Sequence, residues 1–290
     1  MCEVQPRCDS LYSPMKRSKK MNAKIKEAPI TDHLKIFKGV YNGEIGSVSR
    51  EFNCNKLLLV PVGDVHLGAP TCNIVKFEKA LAFVERTDCQ VILMGDLMEA
   101  ASKNSVGAGW VEQTGSPQAQ LDALYEVLLP IREKILVVLE GNHEERIWKD
   151  SGIRVSKVLA KMLKVPFGGY SAFLKLKVRK NNYIVHAQHG SSNAWYPHTK
   201  LTAAMRTAQH TDADLYLYGH THELLSIKVP RRSIDKRNRT IATCEKYFVL
   251  TGSFLEYEGS YAQKKNMYPI ETGIANITLS GEHWDIHCSV

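Results

Sequence analysis

No stretch of the sequence approaches the roughly 18 consecutive apolar residues of a membrane span. The longest apolar run near the start is Leu57-Leu58-Leu59-Val60, and Pro61 breaks it. The lysines of the N-terminal region have no apolar core behind them, which argues against a secretory signal and for a cytoplasmic protein. No cysteine pair has CxxC spacing. The seven cysteines (Cys2, Cys8, Cys54, Cys72, Cys89, Cys244 and Cys288) are odd in number and widely spaced, which argues against a disulfide framework and a zinc ribbon. Buried or free thiols are the reading that remains. No internal period occurs, so a solenoid or propeller is not expected.

What is present is ordinary globular composition: 290 residues, 44% hydrophobic and 23% charged, enough for a full core. The net charge of +8 is unevenly placed. Residues 1–26 hold seven basic residues against Glu3 and Asp9, a net of +5, which leaves +3 for the rest. Residues 1–28 therefore read as a basic, disordered tail, and 29–290 as a single domain, since no low-complexity linker divides them. The tail is either a solvated leader or a holder of phosphate backbones by counterion release. Met15 and Met21 are alternative starts to Met1.

Apolar strands are expected at 57–63, 90–95 and 135–140. Helices are expected at 74–86, where Phe77, Ala80, Leu81 and Val84 share a face, and at the run from Leu121 to Leu129 before Pro130. The loop 101–117 lies between. This alternation implies a parallel sheet with right-handed crossovers. The second half is richer in strands. These fall at 171–179 and 183–189 around a turn at Lys180-Asn181-Asn182, at 215–218, and at about 222–229, 242–250, 271–279 and 282–288, with one helix at about 200–210. Two packed sheets with helices outside follow.

Five of these strands end in metal-binding residue types: Gly63-Asp64-Val65-His66, Gly95-Asp96-Leu97-Met98-Glu99, Gly141-Asn142-His143-Glu144, His189-Gly190 and Gly219-His220-Thr221-His222. Sites in open α/β sheets form at the carboxyl ends of strands, so five loops can converge on one edge. Asp, His and Asn suit borderline divalent cations. Asp-x-His and His-x-His project the same way on extended chain, and one carboxylate can bridge two cations. A glycine before each ligand is expected to let the backbone turn sharply. Burying Asp64, Asp96 and four histidines without cations would be costly. His186 and His189 face opposite sides of one strand, and His189 is the choice because it sits at the strand end. His33, His186, His198, His210, His283 and His287 read as structural.

In this order and spacing the five motifs resemble the calcineurin-like metallophosphoesterases over residues 57 to 253, in detail the phage and prophage members. The resemblance implies an α/β four-layer αββα sandwich, with two mixed β-sheets flanked by helices and a dimetal site at strand carboxyl ends. It implies that Asp64, His66 and His222 hold a first cation, that Asn142, His189 and His220 hold a second, and that Asp96 bridges both. His143 would stabilise the transition state or protonate the leaving oxygen. Glu99 stands where many members have an aspartate that orients this histidine. Thr251-Gly252-Ser253 is similar to the small-residue turn that returns to the site. Two divalent cations are implied, manganese first, with iron, zinc, nickel or cobalt also compatible. They acidify water and polarise the phosphoryl group in an in-line displacement.

Phosphoprotein phosphatases of the superfamily hold their dianionic substrate with arginines beside the aspartate and asparagine motifs. Here Glu99-Ala100 and Glu140 stand there instead, so protein dephosphorylation is disfavoured. Together with the basic charge this favours a phosphodiester as substrate, with nucleic acid a candidate. The alternatives are a phosphomonoesterase acting on a small phosphorylated metabolite, and a nucleic-acid-binding accessory protein. The run Arg231 to Arg239 reads as a solvated hairpin tip rather than a phosphate-contacting patch. Trp195, Tyr261, Lys264 and Lys265 are expected substrate contacts, with Lys103, Asn104, Trp110, Tyr196, Lys200 and Tyr257 in the same loops. Aromatics beside cations suit stacking on bases, and suit packing between loops equally well.

Overall fold

The computed structural model describes residues 46–290 except 106–108, 193, 235, 236, 238 and 239, and leaves out the side chain of Tyr261. The tail expected over residues 1–28 thus lies outside the described residues. The described residues of 46–229 and of 246–290 belong to one compact unit, and those of 230–245 to a second. No described helix is long and apolar enough to cross a membrane.

One sheet holds β2 (Lys56–Val62), β3 (Cys89–Leu93), β4 (Ile135–Leu139), β5 (Phe167–Gly169), β11 (Asn276–Ser280) and β12 (Ile286–Ser289), in the order β12-β11-β2-β3-β4-β5. Strands β2 to β5 run parallel, and β11 lies antiparallel to β2. The other sheet holds β1 (Ser47–Phe52), β6 (Ser171–Val178), β7 (Asn181–Gln188), β8 (Leu215–Tyr218), β9 (Leu224–Ile234) and β10 (Ile241–Thr251), in the order β1-β6-β7-β8-β10-β9. The expected two mixed sheets are present. The last two strands return to the first sheet, an assignment that alternating apolar residues alone do not make.

The layers follow from side-chain alternation. Leu57 and Leu59 of β2 pack with Leu174, Leu176, Val185, Leu215 and Leu217 between the sheets. Val60 and Val62 point the other way, onto Phe77 and Val84 of α1 (Ile74–Arg86), Leu121 and Leu124 of α2 (Pro117–Leu128), and Leu159 of α4 (Val155–Leu163). Tyr216 and Phe248 of the second sheet stack with rings 4.8 Å apart beneath Met205 of α5 (Pro197–Thr207). The result is the αββα sandwich.

Several local expectations shift. The tight turn falls at Arg179-Lys180, because Asn181 instead opens β7 and donates from Nδ2 to the Ser280 carbonyl. Helix α5 begins three residues earlier than expected, at Pro197, whose fixed φ and missing N–H suit a first turn. Residues 271–275 are not strand; β11 begins at Asn276. Strand β9 runs through Ile234, so Arg231 and Arg232 are exposed strand residues rather than turn.

Candidate metal centre

The carboxyl ends of β2, β3 and β4 deliver Asp64 and His66, Asp96, and Asn142, while those of β7 and β8 deliver His189, His220 and His222. Both sheets therefore feed one edge. Asp64, His66, Asp96 and His189 are all buried, between 0% and 2% exposed. Asp64 Oδ1 lies 3.4 Å from His222 Nε2, and His66 Nε2 lies 3.2 Å from His222 Nε2. Asp96 Oδ2 lies 3.4 Å from His189 Nε2, and His189 Nε2 lies 3.0 Å from Asn142 Oδ1. His66 Nε2 is 3.8 Å from Asp96 Oδ2, so Asp96 stands between the two groups. Three constellations able to hold a cation result among the described residues: Asp64 with His66 and His222, Asp96 with His189 and His220, and His66 with Glu99 and His143.

The donor chemistry fits cations. Asp64 Oδ1 is buried with no hydrogen-bond partner, although Oδ2 accepts from the His220 backbone N–H at 2.9 Å. His189 Nδ1 donates to the Met94 carbonyl at 2.9 Å, which leaves an Nε2 lone pair aimed at the oxygens of Asp96 and Asn142. Three acceptors facing one another need a positive charge among them. Burial disfavours charge on His189, yet Asp96 and Asp64 outweigh it and push its pKa up to about 10. Burial likewise opposes the Asp96 carboxylate, but His189 and His143 hold it well below the usual range. A divalent cation supplies the same compensation without a proton.

The backbone adds a feature that the sequence motifs do not state. Asp64 (φ 47°), His66 (51°), Asp96 (48°), His220 (63°) and His222 (56°) adopt left-handed conformations, five of nine such non-glycine residues among those described. Each costs about 1–3 kcal/mol, and such strain collects where function over-determines geometry. The expected role of the preceding glycines is thereby corrected. Among Gly63, Gly95, Gly141 and Gly219, Gly95 has a positive φ, at 88°. Gly141 serves close approach instead: a Cβ there would stand 2.1 Å from both Asp96 N and Asp96 Oδ1.

His143 is the second residue of the polar helix α3 (Asn142–Ser151). Its backbone N–H donates to Asp96 Oδ1 at 2.8 Å, and its Nδ1 donates to the Glu99 carbonyl at 2.9 Å. Glu99 Oε2 lies 3.3 Å from His143 Nδ1 and 3.4 Å from His66 Nδ1, so one carboxylate touches both rings. Two residues outside the expected set also belong here. Arg146 Nη2 donates to His143 Nε2 at 2.9 Å, and its Nη1 lies 3.5 Å from Glu99 Oε1. Glu144 accepts the backbone N–H groups of Asp96, Leu97, Met98 and Gly141 at 2.7–3.2 Å. The (i, i+3) step from His143 is the signal that would have found Arg146, once α3 is known to be a helix.

Ser253 Oγ and the Phe254 N–H both donate to the Asp64 carbonyl at 3.0 Å, so the turn after β10 does return to the centre. His186 lies away from it, against Phe173 and Tyr216. Trp195, Lys264 and Lys265 are exposed outside the cluster, and the side chain of Tyr261 lies outside the described residues. Lys200 is not available to a substrate, because it is buried and paired with Glu223 at 3.0 Å. Lys103 sits over the Trp110 ring at 5.9 Å, which is packing within one loop.

Residues 59–224 match the family profile of the calcineurin-like phosphoesterases, over more than half of the chain. The chain belongs to that family. It is a metal-dependent phosphoester hydrolase. The phosphoesterase is similar to vacuolar protein sorting 29 of Cryptosporidium parvum, at 14% identity over 81% of this chain and 98% of the other, with a TM-score of 0.42. It is similar to a metallophosphoesterase of Sphaerobacter thermophilus, at 17% identity over 81% and 89%, with a TM-score of 0.38. A predicted phosphoesterase of Streptococcus pneumoniae TIGR4 matches at 14% identity over 81% and 99%, with a TM-score of 0.33. Comparison with curated proteins yields no match. The likeness to phage members rests on the sequence motifs alone.

Proposed function

We propose that the phosphoesterase carries a dinuclear centre, binds manganese there, and hydrolyses phosphodiesters in the cytoplasm, with nucleic acid as the substrate class. Asp64, His66 and His222 hold the first cation, Asn142, His189 and His220 the second, and Asp96 joins them. The observation that carries this reading is the fully buried Asp64 Oδ1, unpartnered and facing His222 Nε2 at 3.4 Å, beside His189 Nε2 facing Asp96 and Asn142. When bound, two divalent cations activate water for attack and offset the charge that develops on the phosphoryl oxygens.

His143 handles the leaving group. With Nδ1 held by Glu99, its Nε2 is the ring nitrogen left to give a proton once Arg146 no longer occupies it. Burial lowers its pKa, but Asp96 and Glu99 raise it above the usual value, which favours the protonated ring once Arg146 leaves Nε2. The diester preference is supported by the net charge of +8, and by an arginine whose charge Glu99 partly offsets. Arg146 also favours a second reading, a phosphomonoesterase acting on a small phosphorylated metabolite, because a guanidinium beside His143 suits a dianion.

Hydrolysis of bis-p-nitrophenyl phosphate against p-nitrophenyl phosphate tests both, using chelator-stripped protein reloaded with manganese. Faster cleavage of the diester, lost in Asp96→Ala, is expected. Faster cleavage of the monoester selects the second reading. Salt-sensitive DNA retention without turnover of either ester would point to an accessory binding protein.

A further inference from the structure

We propose that Trp148, Arg154 and Tyr170 form a shelf beside the Asn142–His189 side of the centre on which an unpaired nucleobase of the substrate stacks, so that the protein selects single-stranded over duplex nucleic acid. This rests on the proposed phosphodiesterase reading, and deepens it by naming the form of nucleic acid and the side chains that select it.

The shelf is tied to the metal-binding edge from two directions. Tyr170 links β5 to β6, and its carbonyl accepts the backbone N–H of His189 at 3.1 Å. Trp148 lies on α3, whose first residue is Asn142, about 9 Å further along the helix axis. Arg154 immediately precedes α4, and its guanidinium carbon lies 4.5 Å from the centroid of the Trp148 ring and 5.7 Å from that of Tyr170. The group is anchored to the interior. Arg154 Nη1 pairs with Oε2 of the fully buried Glu140, and the Tyr170 hydroxyl donates to Glu145 Oε1 at 2.8 Å. Even so, Trp148 and Tyr170 remain 38% and 45% exposed. Rings that are already fixed, yet open to water, lose little freedom when a ligand covers them.

The chemistry of the shelf selects its occupant. Aromatic faces with a planar guanidinium among them suit a flat heterocycle, by stacking and by cation–π attraction. They suit a phosphate backbone poorly, because Glu140 offsets the charge of Arg154 and Glu145 pairs with Lys149 at 2.9 Å. A base inside a duplex reaches such a surface only after leaving its own stack, whereas an unpaired strand presents its bases freely.

Two esters with the same leaving group test the idea: thymidine 5′-(p-nitrophenyl phosphate), which carries a base, and methyl p-nitrophenyl phosphate, which does not. In manganese-loaded wild type, kcat/KM should favour the thymidine ester. Trp148→Ala and Tyr170→Ala should each cut that preference roughly 5-fold or more, chiefly through KM, while Tyr170→Phe, which keeps the ring, should retain most of it. Binding is read separately, by fluorescence anisotropy of a labelled single-stranded oligothymidylate on manganese-loaded His143→Ala protein. Adding Trp148→Ala should weaken it by roughly 5-fold or more without changing the salt dependence, and a duplex of the same length should bind more weakly than the single strand. An unchanged ester preference together with unchanged oligonucleotide affinity in both alanine variants would overturn the proposal, as would tighter binding of the duplex. A wild type that hydrolyses neither ester would sink the hydrolase reading, while the oligonucleotide titration would still decide the role of the shelf.

Discussion

Glu144→Ala should melt about 6–10 °C below the wild type and hydrolyse its substrate at least about a hundred-fold more slowly. Glu144 is buried, and its two oxygens accept four backbone N–H groups, from Asp96, Leu97, Met98 and Gly141. Removing the carboxylate leaves those donors without an acceptor in a dry site. At about 1–3 kcal/mol per stranded donor, with partial repair by water, the loss is roughly 3–5 kcal/mol. The same change frees the turn that aims Asp96, and a misplacement of about 1 Å there is enough for the kinetic effect. Burial and the neighbouring Asp96 push the pKa of Glu144 up to about 7, opposed by His189 and the backbone bonds. Thermal denaturation and ester hydrolysis on one preparation check both parts. A variant with wild-type melting and rate would show that Glu144 does not hold the turn.

Gly141→Ala is the second large effect. The added methyl would meet Asp96 N and Asp96 Oδ1 at 2.1 Å and Glu144 Oε2 at 2.6 Å. Asp96 N is backbone, and both carboxylate oxygens are held by backbone N–H groups, so Asp96 must move away from His189. Hydrolysis should fall at least about a hundred-fold, with loss of bound cation. Gly152→Ala is the contrast. Gly152 caps the far end of the same helix at φ 74°, with nothing within 4 Å of an added Cβ. That substitution should cost about 1 kcal/mol of stability and leave turnover intact. Equal rates for the two variants would contradict the close approach at Gly141.

The sequence made the metal-binding edge legible because each motif is short, polar and placed directly after an apolar strand. Asp64, Asp96, His189 and His222 could be read that way, since strand ends converge whatever the intervening loops do. Helix α3 could not. Its residues, Asn142 to Ser151, are almost all polar, so no apolar stripe marks a helix, and Arg146 and Glu144 look like members of a solvated charge run. Lys200 was misleading for the opposite reason: a lysine in a loop-to-helix segment reads as exposed, yet Glu223 draws it into the interior. The left-handed ligands were equally hidden, because Asp and His carry no sequence mark of positive φ as glycine does. The return of β11 and β12 to the first sheet depends on pairing between segments more than two hundred residues apart, such as Ile277 opposite Leu59.

The most direct test of the account is the metal content of the protein after manganese loading and dialysis, measured by mass spectrometry for the wild type, Asp96→Ala and His143→Ala. Asp96 faces both proposed cation sites, whereas His143, which belongs to the third group, is read as an acid and not a ligand. The expected result is about two cations per chain in the wild type and in His143→Ala, with hydrolysis lost in the latter, and fewer than about one in Asp96→Ala. A wild type that holds fewer than about one cation, or an Asp96→Ala variant that keeps both, would contradict the dinuclear centre.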